Sequence, residues 1–146
     1  MIAWGKLQAV LGSKPLLLRG VGPSLAQFGV PGVLRDPLLT VFSGAAATAM
    51  NDDWAGNAQI RNVSANVGAF ALAGDAAKDC AIFAPATAIG SHTAQISCRD
   101  GSSGMVLAEI YDATPEASFS ATSPRLINVS ARARVGTSSD ILIAGF

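Results

Sequence analysis

The chain has 146 residues, enough for one domain with a sizeable core, and half of it is hydrophobic while only 14% is charged. Ten Lys and Arg against ten Asp and Glu leave no net charge, which excludes the basic footprint of a nucleic-acid binder and the acidic block of a solvating tail. No apolar run reaches the ~20 residues of a membrane helix, and the opening Met1-Ile2-Ala3-Trp4-Gly5 lacks the basic start and long apolar centre of a signal peptide.

In chain order, residues 6–10 alternate weakly and are expected to form a strand. Residues 15–21 are apolar apart from Arg19, too short for a helix and bounded by Pro15, Gly20, Gly22 and Pro23, so they read as a buried strand running into a rigid corner. Residues 24–29 read as one helical turn, with Ser24 able to cap it and Gly29 able to end it in a left-handed conformation. Residues 38–42 are a second apolar strand, and residues 45–50 pair back on it through Ser43-Gly44. The polar loop Asn51-Asp52-Asp53-Trp54 precedes the one plausible helix, 58–67, with Asn57 as its cap and Ile60, Val63 and Val67 at helical spacing. Residues 68–72 alternate again. Residues 79–84 and 92–98 read as a hairpin, followed by strands at 105–111, 125–130 and 141–146. This run of short strands between Gly, Ser and Asp turns predicts an all-β fold: a single antiparallel, jelly-roll-like β-sandwich over 1–146 with one short helix.

Few residues offer chemistry. Pairing Ala86 with His92 across the hairpin loop sets Cys80 opposite Cys98, within reach of a disulfide. Two cysteines are too few for a cysteine metal site. Asp52 and Asp53 are the candidate ligands for Ca²⁺, which needs six to eight oxygens and hence help from elsewhere; an Asx turn leading into the helix explains them as well. His92 is the only histidine, and no Gly-x-Ser-x-Gly elbow accompanies it, so no catalytic residue is assigned. Arg19 must find a partner in its apolar surroundings, an acidic group such as Asp36 or the carbonyls of a turn. The preferred reading is a buried bidentate pin holding the corner. Arg132 and Arg134, two apart on one strand face, are expected to form a solvated face or to contact a neighbour.

The two ends overlap. Ile2-Ala3 matches Ile143-Ala144, with Met1 against Leu142 and an aromatic residue and a glycine beyond. If both ends are pieces of one repeating unit, one copy leads into the next, and a head-to-tail contact that does not close builds a filament. Ile2, Trp4, Leu7, Arg19, Ile141, Leu142, Ile143 and Phe146 are then the expected assembly interface, with Arg19 fixing register.

Several blocks carry a resemblance. Leu17-Leu18-Arg19-Gly20-Val21-Gly22-Pro23-Ser24-Leu25, Asn51-Asp52-Asp53-Trp54, Val67-Gly68-Ala69-Phe70-Ala71-Leu72, His92-Thr93-Ala94-Gln95-Ile96-Ser97, Glu109-Ile110-Tyr111-Asp112, Leu126-Ile127-Asn128-Val129-Ser130, Val135-Gly136-Thr137 and Leu142-Ile143-Ala144-Gly145-Phe146 follow in this order. The set spans nearly the whole chain. It resembles the tandem β-sandwich modules of large secreted or cell-surface proteins of environmental bacteria, and more distantly the prepeptidase C-terminal domain. The resemblance implies a β-sandwich at the cell surface or outside the cell, with a structural or adhesive role and no catalytic residues. The chain departs from the pattern in standing as a single unit and in carrying Cys80 and Cys98 where small residues are expected. The expectation is a non-enzymatic extracellular subunit whose partners are copies of itself, with no nucleic acid and no membrane span. The alternative is a calcium- or polysaccharide-binding accessory module of a secreted protein.

Overall fold

In the computed structural model, residues 13–122 and 127–146 are described. Among the described residues, eight strands form two antiparallel sheets. They are β1 (Lys14–Val21), β2 (Pro37–Ser43), β3 (Ala46–Asn51), β4 (Cys80–Thr87), β5 (His92–Cys98), β6 (Gly104–Asp112), β7 (Asn128–Val135) and β8 (Leu142–Gly145). Sheet I has the order β4-β1-β6-β7 and sheet II the order β3-β2-β5-β8. A 3₁₀ turn (Pro23–Phe28) follows β1, and the one α-helix among the described residues, α1 (Ala58–Asn66), lies between β3 and β4. The fold is the all-β sandwich with one short helix that the strand spacing predicts.

Strand alternation builds the core. Leu16 and Leu18 of β1, Val106, Ala108 and Ile110 of β6, Leu39 and Val41 of β2, and Ala94 and Ile96 of β5 meet between the sheets. Full burial of each Leu, Ile or Val side chain contributes about 1.5–3 kcal/mol. The intervening residues of sheet I do not face water. Leu17, Ala81 and Tyr111 form a second apolar cluster with Trp54 and Ile60, flanked by Val63, Val67, Ala69 and Leu72. Sheet I is therefore covered on both faces, by sheet II on one and by α1 and the following loop on the other. That is why 15–21 reads as a continuous apolar run rather than an alternating one.

Helix α1 begins where its cap predicts: the Asn57 side chain accepts from the N–H groups of Gln59 and Ile60. The 3₁₀ turn ends at Gly29 with φ +74°, as foreseen, but the Ser24 side chain does not cap it. Residues 68–72 form no strand. The hairpin 45–50 is present as β2–β3.

The expected hairpin of 79–84 with 92–98 is not formed. β4 pairs with β1, placing Cys80 opposite Gly20, whereas β5 pairs with β2, placing Cys98 opposite Pro37. The connection crosses from one sheet to the other, and each strand pairs with one distant in sequence. The predicted Cys80–Cys98 disulfide is accordingly absent, and both residues are free thiols. Cys80 fills the space left by Gly20: a Cβ at Gly20 would lie 2.5 Å from its Sγ, and the thiol donates to Gly20 O at 3.3 Å. Burial, and the neighbouring Asp79 charge, push the Cys80 thiol far above its ordinary pKa, so it stays protonated and unreactive.

Candidate functional site

Arg19 is 1% exposed and sits in the centre strand of the covered face. In register it lies opposite Glu109 on β6. Its Nε and Nη2 donate to Glu109 Oε2 at 2.8 and 2.6 Å, and Nη1 donates to the carbonyl of Phe70 at 2.8 Å. Tyr111 Oη donates to the other carboxylate oxygen at 2.8 Å. The Phe70 ring stacks on the guanidinium, 4.6 Å from centroid to Cζ. Burial first, and then the bond to Glu109, drive the Tyr111 phenol well above its usual pKa. The expected buried pin is thus present, with Glu109 as its partner in place of Asp36. It ties the covering loop at Phe70 to the middle of sheet I. It also uses Arg19 inside the chain, away from any surface where a neighbour's register would be read.

A second polar knot fixes the corner after β1. Asp79, fully buried, accepts from the N–H of Gly22 at 2.9 Å, the N–H of Ser24 at 3.1 Å and the Ser24 hydroxyl. Ser24 Oγ in turn accepts from Ala73 N–H at 2.7 Å. Asp79 O receives the N–H of Trp54 at 2.8 Å. One carboxylate therefore joins the β1 corner, the covering loop and the segment before α1. Sequence reading missed Asp79 as an anchor; its signal was a lone carboxylate at the start of an apolar strand, where it must be paired.

The edges of the two sheets differ. The edge strands of sheet I carry devices that discourage pairing with another sheet: Pro85 in β4, and the exposed Arg132 and Arg134 in β7. The four strands of sheet II contain no Asp, Glu, Lys or Arg, and its edges β3 and β8 contain no proline. Met50 on β3 and Ile143 on β8 are 63% and 39% exposed. His92 and Phe146 exchange both backbone hydrogen bonds at 2.9 Å. In an antiparallel ladder such pairs alternate, so Ala144 and Leu142 also bond inward while the N–H and C=O of Ile143 and Gly145 point to the open side. Of the expected interface, Leu142 and Phe146 pack against the core, Ile143 is exposed at the edge, Ile141 is half-buried just before β8, and Ile2, Trp4 and Leu7 lie outside the described residues.

Asp52 pairs with Arg99 at 3.3 Å and Asp53 with Lys78 at 3.7 Å. Lys78 also reaches Asp36, whose charge is the main cause raising the Lys78 pKa. Among the described residues no group of three or more His, Cys, Asp or Glu is placed to hold a metal ion. Asp52 and Asp53 meet cations of the chain itself. The His92 ring stacks on Phe146 and bonds Ala88 O at 2.7 Å. Cys98 donates to Asp100, and this bond, followed by those from Ser102, holds the Asp100 carboxyl well below its usual range.

No protein-family model matches this chain, and neither a curated protein nor a solved structure does.

Proposed function

We propose that this protein is a non-enzymatic structural subunit that associates with copies of itself by extending sheet II, β8 of one copy pairing with β3 of the next. The observation that carries this reading is the asymmetry of the edges. Sheet I is guarded by Pro85, Arg132 and Arg134, whereas both edges of sheet II lack charge and proline and present Met50 and Ile143. The strand directions fit. Neighbours in the order β3-β2-β5-β8 are all antiparallel, so β8 runs opposite to β3, and a translated copy continues the alternation. Two different edges joined head to tail do not close, which makes a filament. At about 4.8 Å per strand, four strands advance each copy by about 19 Å. The internal bonding of Glu109, Asp79 and His92 supports a role without catalysis. A location outside the cell rests on the resemblance of the ordered sequence blocks to secreted modules.

Sedimentation velocity over a concentration series, with negative-stain microscopy, tests the reading. The wild-type chain is expected to form mass that grows with concentration. Ile143→Pro removes one outward N–H while leaving the β5–β8 ladder intact, and Ile143→Lys adds an edge charge; both are expected to remain monomeric. A wild-type chain that stays monomeric up to millimolar concentration, or an Ile143→Pro variant that assembles like wild type, refutes edge pairing.

A further inference from the structure

The open edge of β3 is irregular. In the β2–β3 ladder Phe42 pairs with Ala47 and Val41 with Ala49, so Thr48 is an extra residue, a β-bulge. Thr48 is exposed, and its hydroxyl donates to Val41 O at 3.2 Å. Where the backbone groups of β3 point follows from the alternation of bonded pairs across sheet II. His92 bonds towards β8, so Thr93, Gln95 and Ser97 bond towards β2, and their partners Phe42, Thr40 and Leu38 bond back to β5. Ser43, Val41 and Leu39 are left to bond β3, through Ala46, Ala49 and Asn51. The N–H and C=O groups on the open side of β3 are therefore those of Ala47 and Met50, three positions apart because the bulge lies between them. On β8 the open groups are those of Ile143 and Gly145, two positions apart.

We propose that the bulge at Thr48 limits self-association by putting the two edges out of step, so that a junction between copies closes one hydrogen-bonded pair and never both. This rests on the pairing of β8 with β3 proposed above. An antiparallel junction that sets Ile143 opposite Met50 brings Gly145 opposite the bulged Thr48. One that sets Gly145 opposite Ala47 brings Ile143 opposite Ala49, which already bonds Val41. The first register is favoured by the side chains. Ala49 and Ala144 pack on the core, so Met50 and Ile143 stand on the outer face of sheet II, both exposed, and pairing brings them together. Bulges are among the devices by which sheet edges resist further pairing. β3 carries neither charge nor proline, and the bulge is the guard it does have: it shortens the junction without closing the edge. Without Thr48 the open groups of β3 would be two positions apart, and both pairs would close in one register, adding two backbone hydrogen bonds to each junction.

Sedimentation velocity on wild type and on a chain lacking Thr48, each with and without Ile143→Pro, tests it. The deletion is expected to lower the concentration of half-assembly about tenfold or more, from the two added bonds, and Ile143→Pro to keep both chains monomeric. A half-assembly concentration that the deletion leaves unchanged or raises, with Ile143→Pro still blocking wild type, overturns the role of the bulge and leaves edge pairing standing. Assembly of the deleted chain that Ile143→Pro does not block overturns it too. Both chains monomeric up to millimolar concentration overturn edge pairing and the role of the bulge together. Cross-linking reads the register in the undeleted chain, whether or not the deleted one folds. In a Cys98→Ser background, oxidation of mixed Ile143→Cys and Met50→Cys chains should join the two at least about fivefold faster than oxidation of mixed Gly145→Cys and Ala47→Cys chains. Equal rates overturn the proposal.

Discussion

Replacing Arg19 by Met is the sharpest perturbation of the pin. The change keeps an unbranched, largely aliphatic stem but removes the guanidinium and with it three hydrogen bonds, two to Glu109 and one to Phe70 O. Glu109, 4% exposed, is then a buried carboxylate whose one remaining side-chain donor is the Tyr111 hydroxyl. Breaking one side of a buried pair costs about 3–5 kcal/mol, because the surviving charge stays desolvated. Against a typical total of about 5–15 kcal/mol this is a large fraction, and for a domain of this size it lowers Tm by about 10–20 °C. Removing both charges is a different experiment. Arg19→Met with Glu109→Leu leaves no buried charge, and the pair of changes should recover at least about 2 kcal/mol relative to the sum of the single variants. A double-mutant cycle by urea unfolding measures this coupling. An Arg19→Met cost below about 1 kcal/mol, or strictly additive changes in the cycle, would refute the view that the pin is a buried, mutually dependent pair.

Three further outcomes are expected. Asp79→Ala strands the N–H groups of Gly22 and Ser24 and the Ser24 hydroxyl, and should cost about 2–4 kcal/mol in urea unfolding, with Asp79→Asn costing less because one acceptor survives. At Asp112 burial acts to raise the pKa, but hydrogen bonds from Lys14 and Thr114 outweigh it and hold the carboxyl below its ordinary value; its contribution is therefore present above about pH 4 and lost as pH falls through the depressed pKa, so Asp112→Asn should flatten the acid limb of stability against pH. Thiol titration of the native chain should find Cys98 reactive and Cys80 silent, with both reactive in urea, and reductant should leave Tm unchanged because no disulfide is present.

Local signals survive folding wherever the partner lies within a few residues. Asn57 caps α1, Gly29 ends its turn with positive φ, and β2 pairs with β3 across Ser43-Gly44, because each needs only neighbours in sequence. The apolar run 15–21 announced a buried strand, and its lone charge pointed to a buried pin. The identity of that partner was not readable. Asp36 lies nearer in sequence, but Glu109 is the residue that the β1–β6 register sets opposite Arg19. The same limit undid the hairpin of 79–84 with 92–98. A short loop between two alternating segments permits either a turn within one sheet or a crossing to the other, and packing decides between them.

By itself, then, the sequence determined the all-β class, the turns at Gly29 and Ser43-Gly44, the Asn57 cap and the need to neutralise Arg19, since these follow from backbone sterics, side-chain period and the cost of burying charge. Only the tertiary structure decided that Glu109 meets Arg19, that Asp79 ties the corner after β1 to the covering loop, that Cys80 and Cys98 belong to opposite sheets, and that the edge strands of sheet II carry neither charge nor proline. Each of these depends on which strands lie side by side. That choice is made by the fit of apolar faces far apart in sequence, which no local window contains.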